Sequence, residues 1–256
     1  MAKAKAKAGA GGGGSPDRSG VAATRFEGFA SLRFFEELAK SPTREWFTAH
    51  KSEYEQGFAR PMAALLAELR QKLDRAYPDC ELGEPKVFRL NRDVRFSADK
   101  TPYKTAVSGV LAVKRGLAKP TETPAAMYVE LGVDTAGGKV VPKRMAGFGL
   151  YMMDAPQLAR FRAAVLDEGR GAEVAKLVLG LEKRGFAIGA AETLKSAPRG
   201  VDPGHPRVAL LRHKGLASMS PAMPARLHES RELVAWLVEQ GKLAAPLVRW
   251  LTFAVG

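Results

Sequence analysis

Apolar residues recur at helical spacing in the first third of the chain. The clearest repeat occupies positions i, i+3, i+4, i+7 and i+11, namely Met62, Leu65, Leu66, Leu69 and Leu73. This spacing places them all on one face of a helix. Weaker repeats predict two earlier helices, one from Ser31 to about Lys40 and one that follows Ser41-Pro42, where a serine cap precedes a proline. The first third of the chain is therefore predicted to be helical.

After Pro85 the pattern changes to short runs that are typical of strands. Their β-branched content, their glycine boundaries and their lengths of about 5 to 9 residues predict an antiparallel sheet. The predicted strands are 86 to 92, Ala106 to Val113, Met127 to Val133, and Lys139 to Met153, the last with a glycine-rich break near Gly147. Helical repeats return at Pro156 to about Asp167, at Ala172 to Arg184, and after Ser220-Pro221. Helices in blocks around a central run of strands predict an α+β fold.

The chain divides into a short polar segment and a long globular one. Residues 1–24 combine lysines, alanines and a glycine run with almost no apolar surface, so we expect a disordered basic tail. The whole chain has 256 residues, of which 46% are hydrophobic, enough to form a sizeable core. We expect residues 25–256 to form a single α+β domain, with N-terminal and C-terminal helices flanking the sheet.

Cysteine and histidine usage narrows the chemistry. Cys80 is the one cysteine, so the chain can form no internal disulfide, and we expect a reducing compartment. The four histidines are dispersed without zinc-site spacing, so we predict no metal site. No segment approaches the roughly 18 to 20 apolar residues that cross a bilayer, and the N-terminus lacks the apolar run of a signal peptide. We therefore expect a cytoplasmic protein that does not associate with membranes.

Charge then points to one stretch of the chain. The formal net charge is +13, which favours polyanionic partners. Two carboxylates, Asp93 and Asp99, stand against nine cations between positions 86 and 119. These cations are Lys86, Arg89, Arg92, Arg95, Lys100, Lys104, Lys114, Arg115 and Lys119. More than half of the excess positive charge therefore lies in this stretch.

Three arginines in this stretch, Arg89, Arg92 and Arg95, are spaced three residues apart. A helical turn would stack them on one face, whereas a strand would place Arg92 opposite the other two. Two carboxylates cannot neutralise three guanidiniums, so the cluster faces water, pairs with an acid from elsewhere in the fold, or binds an anionic ligand. Asp93 and Asp99 lie among arginines that depress a carboxyl pKa, which makes them poor bases and favours ion pairing.

We predict a ligand-binding site in the segment 89–104. Guanidinium groups bind phosphate or carboxylate through paired hydrogen bonds, and the lysines add point charges. Tyr103 follows Thr101-Pro102 and either hydrogen-bonds a ligand or anchors the segment in the core. The predicted site residues are Arg89, Arg92, Asp93, Arg95, Asp99, Lys100, Tyr103 and Lys104.

The same segment resembles the signature of the DUF2461 family, an Arg-x-x-Arg-Asp-x-Arg-Phe stretch followed closely by Asp-Lys and Tyr. The match extends upstream, and similarity covers roughly residues 26 to 215. The resemblance implies the position of a site but no particular activity. The upstream residues that carry it are Phe34-Phe35-Glu36-Glu37-Leu38, Arg44-Glu45-Trp46-Phe47, His50-Lys51, Tyr54 and Arg60-Pro61.

The function that we expect is recognition of an anionic molecule, with phosphate as the best match to the cluster. Any catalysis would work by electrostatic stabilisation of developing negative charge by the arginines and Lys100, and the sequence identifies neither a reaction nor a cofactor. One alternative is a nucleic-acid-binding module, in which the same cations contact backbone phosphates. Another is an interaction protein that uses the cluster as an internal ion-pair brace.

Overall fold

The N-terminal helical repeats form three helices in the computed structural model of the chain. The structure describes residues 25–93, 95, 100–115, 124–136 and 139–255, so the predicted tail and Asp99 lie outside the described residues. The predicted serine cap is wrong, because the hydroxyl of Thr43 caps the second helix by accepting from the backbone N–H of Trp46 at 3.2 Å. The helices are α1 (Arg33–Lys40), α2 (Arg44–Tyr54) and α3 (Arg60–Leu73), and a π-helical turn, Glu55–Ala59, joins the last two.

Seven strands form one sheet in which every pair is antiparallel, as predicted. The order is β1-β3-β4-β5-β7-β6, and β2 also pairs with β3, along the edge that β1 occupies. The strands are β1 (Glu81–Leu82), β2 (Lys86–Val87), β3 (Ala106–Lys114), β4 (Ala125–Ala136), β5 (Lys139–Leu150), β6 (Ala187–Gly189) and β7 (Leu216–Met219).

Four further helices follow the central strands. Asp154 begins the first of them with a reciprocal capping box that it forms with Gln157. The predicted helix start at Ser220-Pro221 is wrong, because the backbone N–H of Ser220 instead donates to Ala146 O at 2.8 Å beside β5. No helix within the described ranges is long and apolar enough to span a membrane. These helices are α4 (Ala155–Leu166), α5 (Glu168–Glu182), α6 (Val208–Leu211) and α7 (Glu232–Val255).

Helices α3 and α7 cover one face of the sheet and create the core. Leu66 of α3 lies over Gly109 of β3, where an added Cβ would collide with its side chain. On α7, a Cβ at Gly241 would lie 2.9 Å from the Cδ1 of Leu73, so glycine lets these two helices approach closely. Core-facing strand residues such as Val129 are fully buried. Helices on one face of an antiparallel sheet confirm the predicted α+β fold.

Gly149 supplies a specific test of the sheet geometry. Its φ is +134°, and an added Cβ would overlap the backbone oxygen of Leu216 on β7. We expect Gly149→Ala to lower the free energy of unfolding by more than about 2 kcal/mol. Gly189 lies in the same cross-strand row, but a Cβ added there would meet no other atom within 4 Å, so Gly189→Ala should stay within about 1 kcal/mol of wild type. Equal effects in urea denaturation would contradict this geometry.

A short 3₁₀ turn before α7, Leu227–Glu229, buries His228. The imidazole is 2% exposed, and neither ring nitrogen has a hydrogen-bond partner among the described residues. Burial lowers the pKa of His228, and the Arg144 guanidinium lowers it further, whereas Glu229 opposes the shift. His228 therefore binds a proton less readily in the folded chain than in the unfolded chain.

We expect His228 to make the chain less stable in mild acid. Since its folded pKa lies below the unfolded value, the free energy of unfolding should fall as the pH drops below about 6.5. Replacing His228 with Phe removes this titration and should reduce the fall between pH 7.5 and 5.5. Chemical denaturation of both proteins across that range measures the difference. If the free energy of unfolding changes equally with pH in both proteins, the fold does not hold His228 neutral.

Candidate functional site

The predicted site segment forms the outer end of a hairpin that begins with β2. Backbone pairing continues past β2 through a bridge between Asn91 and Tyr103. The N–H of Arg92 donates to Pro102 O at 2.8 Å, and the N–H of Lys104 donates to Leu90 O at 2.9 Å. We call the described residues of this region, 86–93, 95 and 100–110, the edge hairpin. Its pairing decides between the two predicted conformations, because the chain is extended at Asn91 rather than helical.

At the tip of the edge hairpin, Arg95 and Asp93 form a bidentate ion pair. Nη2 of Arg95 lies 2.8 Å from Oδ2 of Asp93, and Nε lies 3.0 Å from Oδ1. The hydrogen bonds from Arg95 lower the pKa of Asp93, and the charge of nearby Arg89 adds to the effect. Because both side chains are largely exposed, solvent weakens the pair. Asp93 is therefore an ionised partner of the arginines and not a base.

Arg92 and Tyr103 form the inner side of the hairpin. Arg92 is half-buried, and its Nη2 lies 3.4 Å from the carbonyl oxygen of Tyr103, which can accept a hydrogen bond from it. The Tyr103 side chain is buried in the core, with its ring centroid 4.5 Å from that of Phe47 on α2. Tyr103 therefore anchors the hairpin to the helical layer. Lys100, on the strand that returns from the tip, is exposed.

Replacing Tyr103 tests this anchor. We expect Tyr103→Ala to cost about 3 to 5 kcal/mol of unfolding free energy, because it removes a buried aromatic ring. Tyr103→Phe keeps the ring and should cost less than about 1.5 kcal/mol. The matched control is Tyr151→Ala, since the Tyr151 side chain is 53% exposed and its loss should cost about 0.5 kcal/mol or less. If Tyr151→Ala lowers the free energy of unfolding as much as Tyr103→Ala does, Tyr103 does not anchor the hairpin.

Two lysines converge on an aromatic ring at the sheet end of the hairpin. The Nζ atoms of Lys86 and Lys104 lie 5.5 and 5.8 Å from the centroid of Phe88, close enough for cation–π attraction. The ring of Phe88 lies 6.3 Å from that of Tyr128 on β4. Within the described residues, no carboxylate lies within 4 Å of the side-chain nitrogens of Lys86, Arg89 or Lys104. We call these three residues the unpaired cations.

Beside Lys86 and Lys104 lies the sheet face that points away from α3 and α7, which we call the open face. It carries a groove of about 490 Å³, and no residue of a helix contributes to its described lining. Cross-strand register aligns Val110, Tyr128 and Gly147 across three strands. The open-face groove is lined by these residues and by Pro124, Ala126, Glu130, Lys143, Met145, Phe148, Gly149, Leu150, Tyr151, Met152, Ala217 and Met219.

A polar network occupies one end of the groove. Nζ of Lys143 lies 3.2 Å from Oε1 of Glu130, whose side chain is 16% exposed. Burial raises the pKa of the Tyr128 phenol to about 12, with Glu130 adding to the shift and the neighbouring Ser108 hydroxyl opposing it. Tyr128 is therefore protonated at neutral pH and donates its hydrogen bond to the Glu130 carboxylate. This network suits binding and orientation better than proton abstraction.

The structure thus divides the predicted site residues into three groups. Arg89, Asp93 and Arg95 lie together at the hairpin tip, Arg92 and Tyr103 face inward, and Lys104 approaches the open face. Sequence reasoning missed Lys86, Phe88, Tyr128, Glu130 and Lys143 as neighbours of Lys104. No group of three or more His, Cys, Asp or Glu side chains in the described part of the chain could hold a metal ion.

Comparison with known families agrees with the resemblance in the hairpin and upstream helices. The family model described as "Conserved hypothetical protein (DUF2461)" matches residues 30–250. The chain belongs to the DUF2461 family. Comparisons with curated proteins and with solved structures found no match. Membership in DUF2461 therefore covers nearly the whole described fold, including the edge hairpin and the open face, and leaves the function to be argued from the site.

Proposed function

We propose that this DUF2461 protein recognises an anionic, phosphate-bearing molecule at the edge hairpin. The observation that carries the proposal is the set of unpaired cations, two of which, Lys86 and Lys104, lie beside a groove of small-molecule size. Arg95 already has Asp93 as its partner, so the positive charge available to a ligand is concentrated on the sheet side of the hairpin. A phosphate there would gain charge-assisted hydrogen bonds from ammonium and guanidinium groups.

The geometry favours binding over a defined reaction. The phenol of Tyr128 keeps its proton at neutral pH, and the pKa of Asp93 is lowered by Arg95, so neither is suited to act as a general base. The remaining predicted residues, Arg92, Asp99 and Lys100, stay candidates for ligand contact. A cytoplasmic location also stays a prediction.

Nucleic acid is the alternative partner that the net charge suggests. Asp93 interrupts the cations at the hairpin tip and pairs with Arg95, which suits one compact anion better than a continuous phosphate backbone. We therefore expect oligonucleotide affinity of residues 25–256 to fade near 150 mM salt. Sub-micromolar binding at that salt, lost when Arg89, Arg92 or Arg95 is replaced, would instead favour a nucleic-acid function.

The test of phosphate recognition uses methyl phosphate and a thermal shift. At about ten times its dissociation constant the probe should add about 1.4 kcal/mol of stability, which raises the melting temperature of a protein of this size by about 3 to 5 °C. The double variant Lys86→Ala/Lys104→Ala should lose this rise. Sodium chloride at equal ionic strength controls for general screening.

A second double variant controls for net charge. Lys72 on α3 and Lys176 on α5 are exposed, and Lys72→Ala/Lys176→Ala removes the same charge outside the edge hairpin. This control should keep the full response to methyl phosphate. A response that is lost equally in both double variants, or that never exceeds the effect of sodium chloride, would refute specific recognition at the hairpin.

A further inference from the structure

The open-face groove is unusual for an uncovered sheet face. Antiparallel sheets with one solvated face carry polar side chains on that face, yet here the positions between Tyr128 and β7 are apolar or lack a side chain. Ala126, Gly149 and Ala217 form the floor, with Met145 and Met219 beside it. Tyr151 and Met152, at 53% and 66% exposed, extend the apolar surface at one end. Such exposed apolar surface indicates a binding site.

Charge is concentrated at the opposite side of the same groove. Glu130 and Lys143 are the charged residues in its described lining, and they pair with each other. Lys86 pairs in register with Val110, which lines the groove, and Val110 pairs with Tyr128. Two strand spacings, roughly 10 Å, therefore separate the backbone of Lys86 from that of Tyr128. A ligand held by the unpaired cations would reach the apolar floor with its other end.

We propose that the open-face groove binds the ring-bearing part of an aromatic phosphate monoester whose phosphate lies at Lys86 and Lys104. The inference rests on the proposed function and names the ligand class. Tyr128 lines the groove and Phe88 lies beside it, and these rings favour a planar ring by offset or edge-to-face stacking. The thioethers of Met145 and Met219 also make favourable contacts with rings.

Charge argues against a second copy of the chain as the occupant. In a two-fold interface both copies contribute the same surface, so Lys86 and Lys104 of both copies would enter one interface without a carboxylate partner. Like charges facing each other across an interface are strongly unfavourable. The positive side of the groove instead complements an anion, and the volume of about 490 Å³ is in the range of small-molecule sites.

The experiment compares 2-naphthyl phosphate with methyl phosphate by isothermal titration calorimetry on the full chain. We expect naphthyl phosphate to bind at least about tenfold more tightly, because its ring is transferred from water into the apolar groove. Ala126→Leu fills the floor and should remove this gain while leaving the affinity for methyl phosphate unchanged. If Ala126→Leu melts well below wild type, Ala126→Val takes its place. Lys86→Ala/Lys104→Ala should weaken both probes.

Each outcome separates the two proposals. If neither phosphate binds, the proposed function fails. If both bind with equal affinity, or if Ala126→Leu leaves the naphthyl gain intact, phosphate recognition stands and the groove assignment is overturned. An equal gain with octyl phosphate would overturn the aromatic preference. If 2-naphthol, which lacks the phosphate, binds as tightly as naphthyl phosphate, the groove is not coupled to the unpaired cations and the inference is wrong.

Discussion

The packing of α3 and α7 on one face of the sheet is the constraint on which the rest of the structure depends. It removes Met62, Leu66 and Leu73 from water against the central strands, and burial of such side chains is worth about 1.5 to 3 kcal/mol each. Both helices direct their apolar faces to this side of the sheet. The groove on the opposite side is therefore not covered by any helix within the described residues. The edge hairpin, anchored to α2 through Tyr103 and Phe47, then places its lysines beside that open face.

Much of this architecture could be predicted from periodicity. The repeat that ends at Leu73 predicted α3, and the runs after Pro85 predicted β3, β4 and β5. The cap at Ser41 was wrong because Thr43, two residues later, has a hydroxyl in reach of a helical N–H. Strands β6 and β7 were missed because three- or four-residue segments carry no clear alternation. Pairing of β7 with β5, and of β6 with β7, determines them rather than local preference. Because β7 was missed, Ser220-Pro221, which directly follows it, was predicted to begin a helix.

The charge pattern of the sequence located the candidate site. The motif alone could not predict which of its side chains lie next to one another. Val87 pairs with Gly109 while Asn91 pairs with Tyr103, so three residues of one strand face five of the other. Such a bulge shifts the register of the hairpin by two residues, so the partners of Lys104 cannot be inferred from the pairing of β2 with β3. Tyr128, Glu130 and Lys143 could have been aligned from the alternation of β4 and its pairing with β5. Only the fold shows that Lys86 and Phe88 lie next to them.

The central claim is that a ligand anchored by the unpaired cations lies on the open face of the sheet, and methionine methyl NMR tests it most directly. Met145 and Met219 line the groove, whereas Met127 is 2% exposed on the helix-covered face of the same sheet. Titration with 2-naphthyl phosphate should shift the methyl signals of Met145 and Met219 through the ring current and leave Met127 nearly unchanged. Equal shifts at all three methionines, or shifts that persist in Lys86→Ala/Lys104→Ala, would contradict the account.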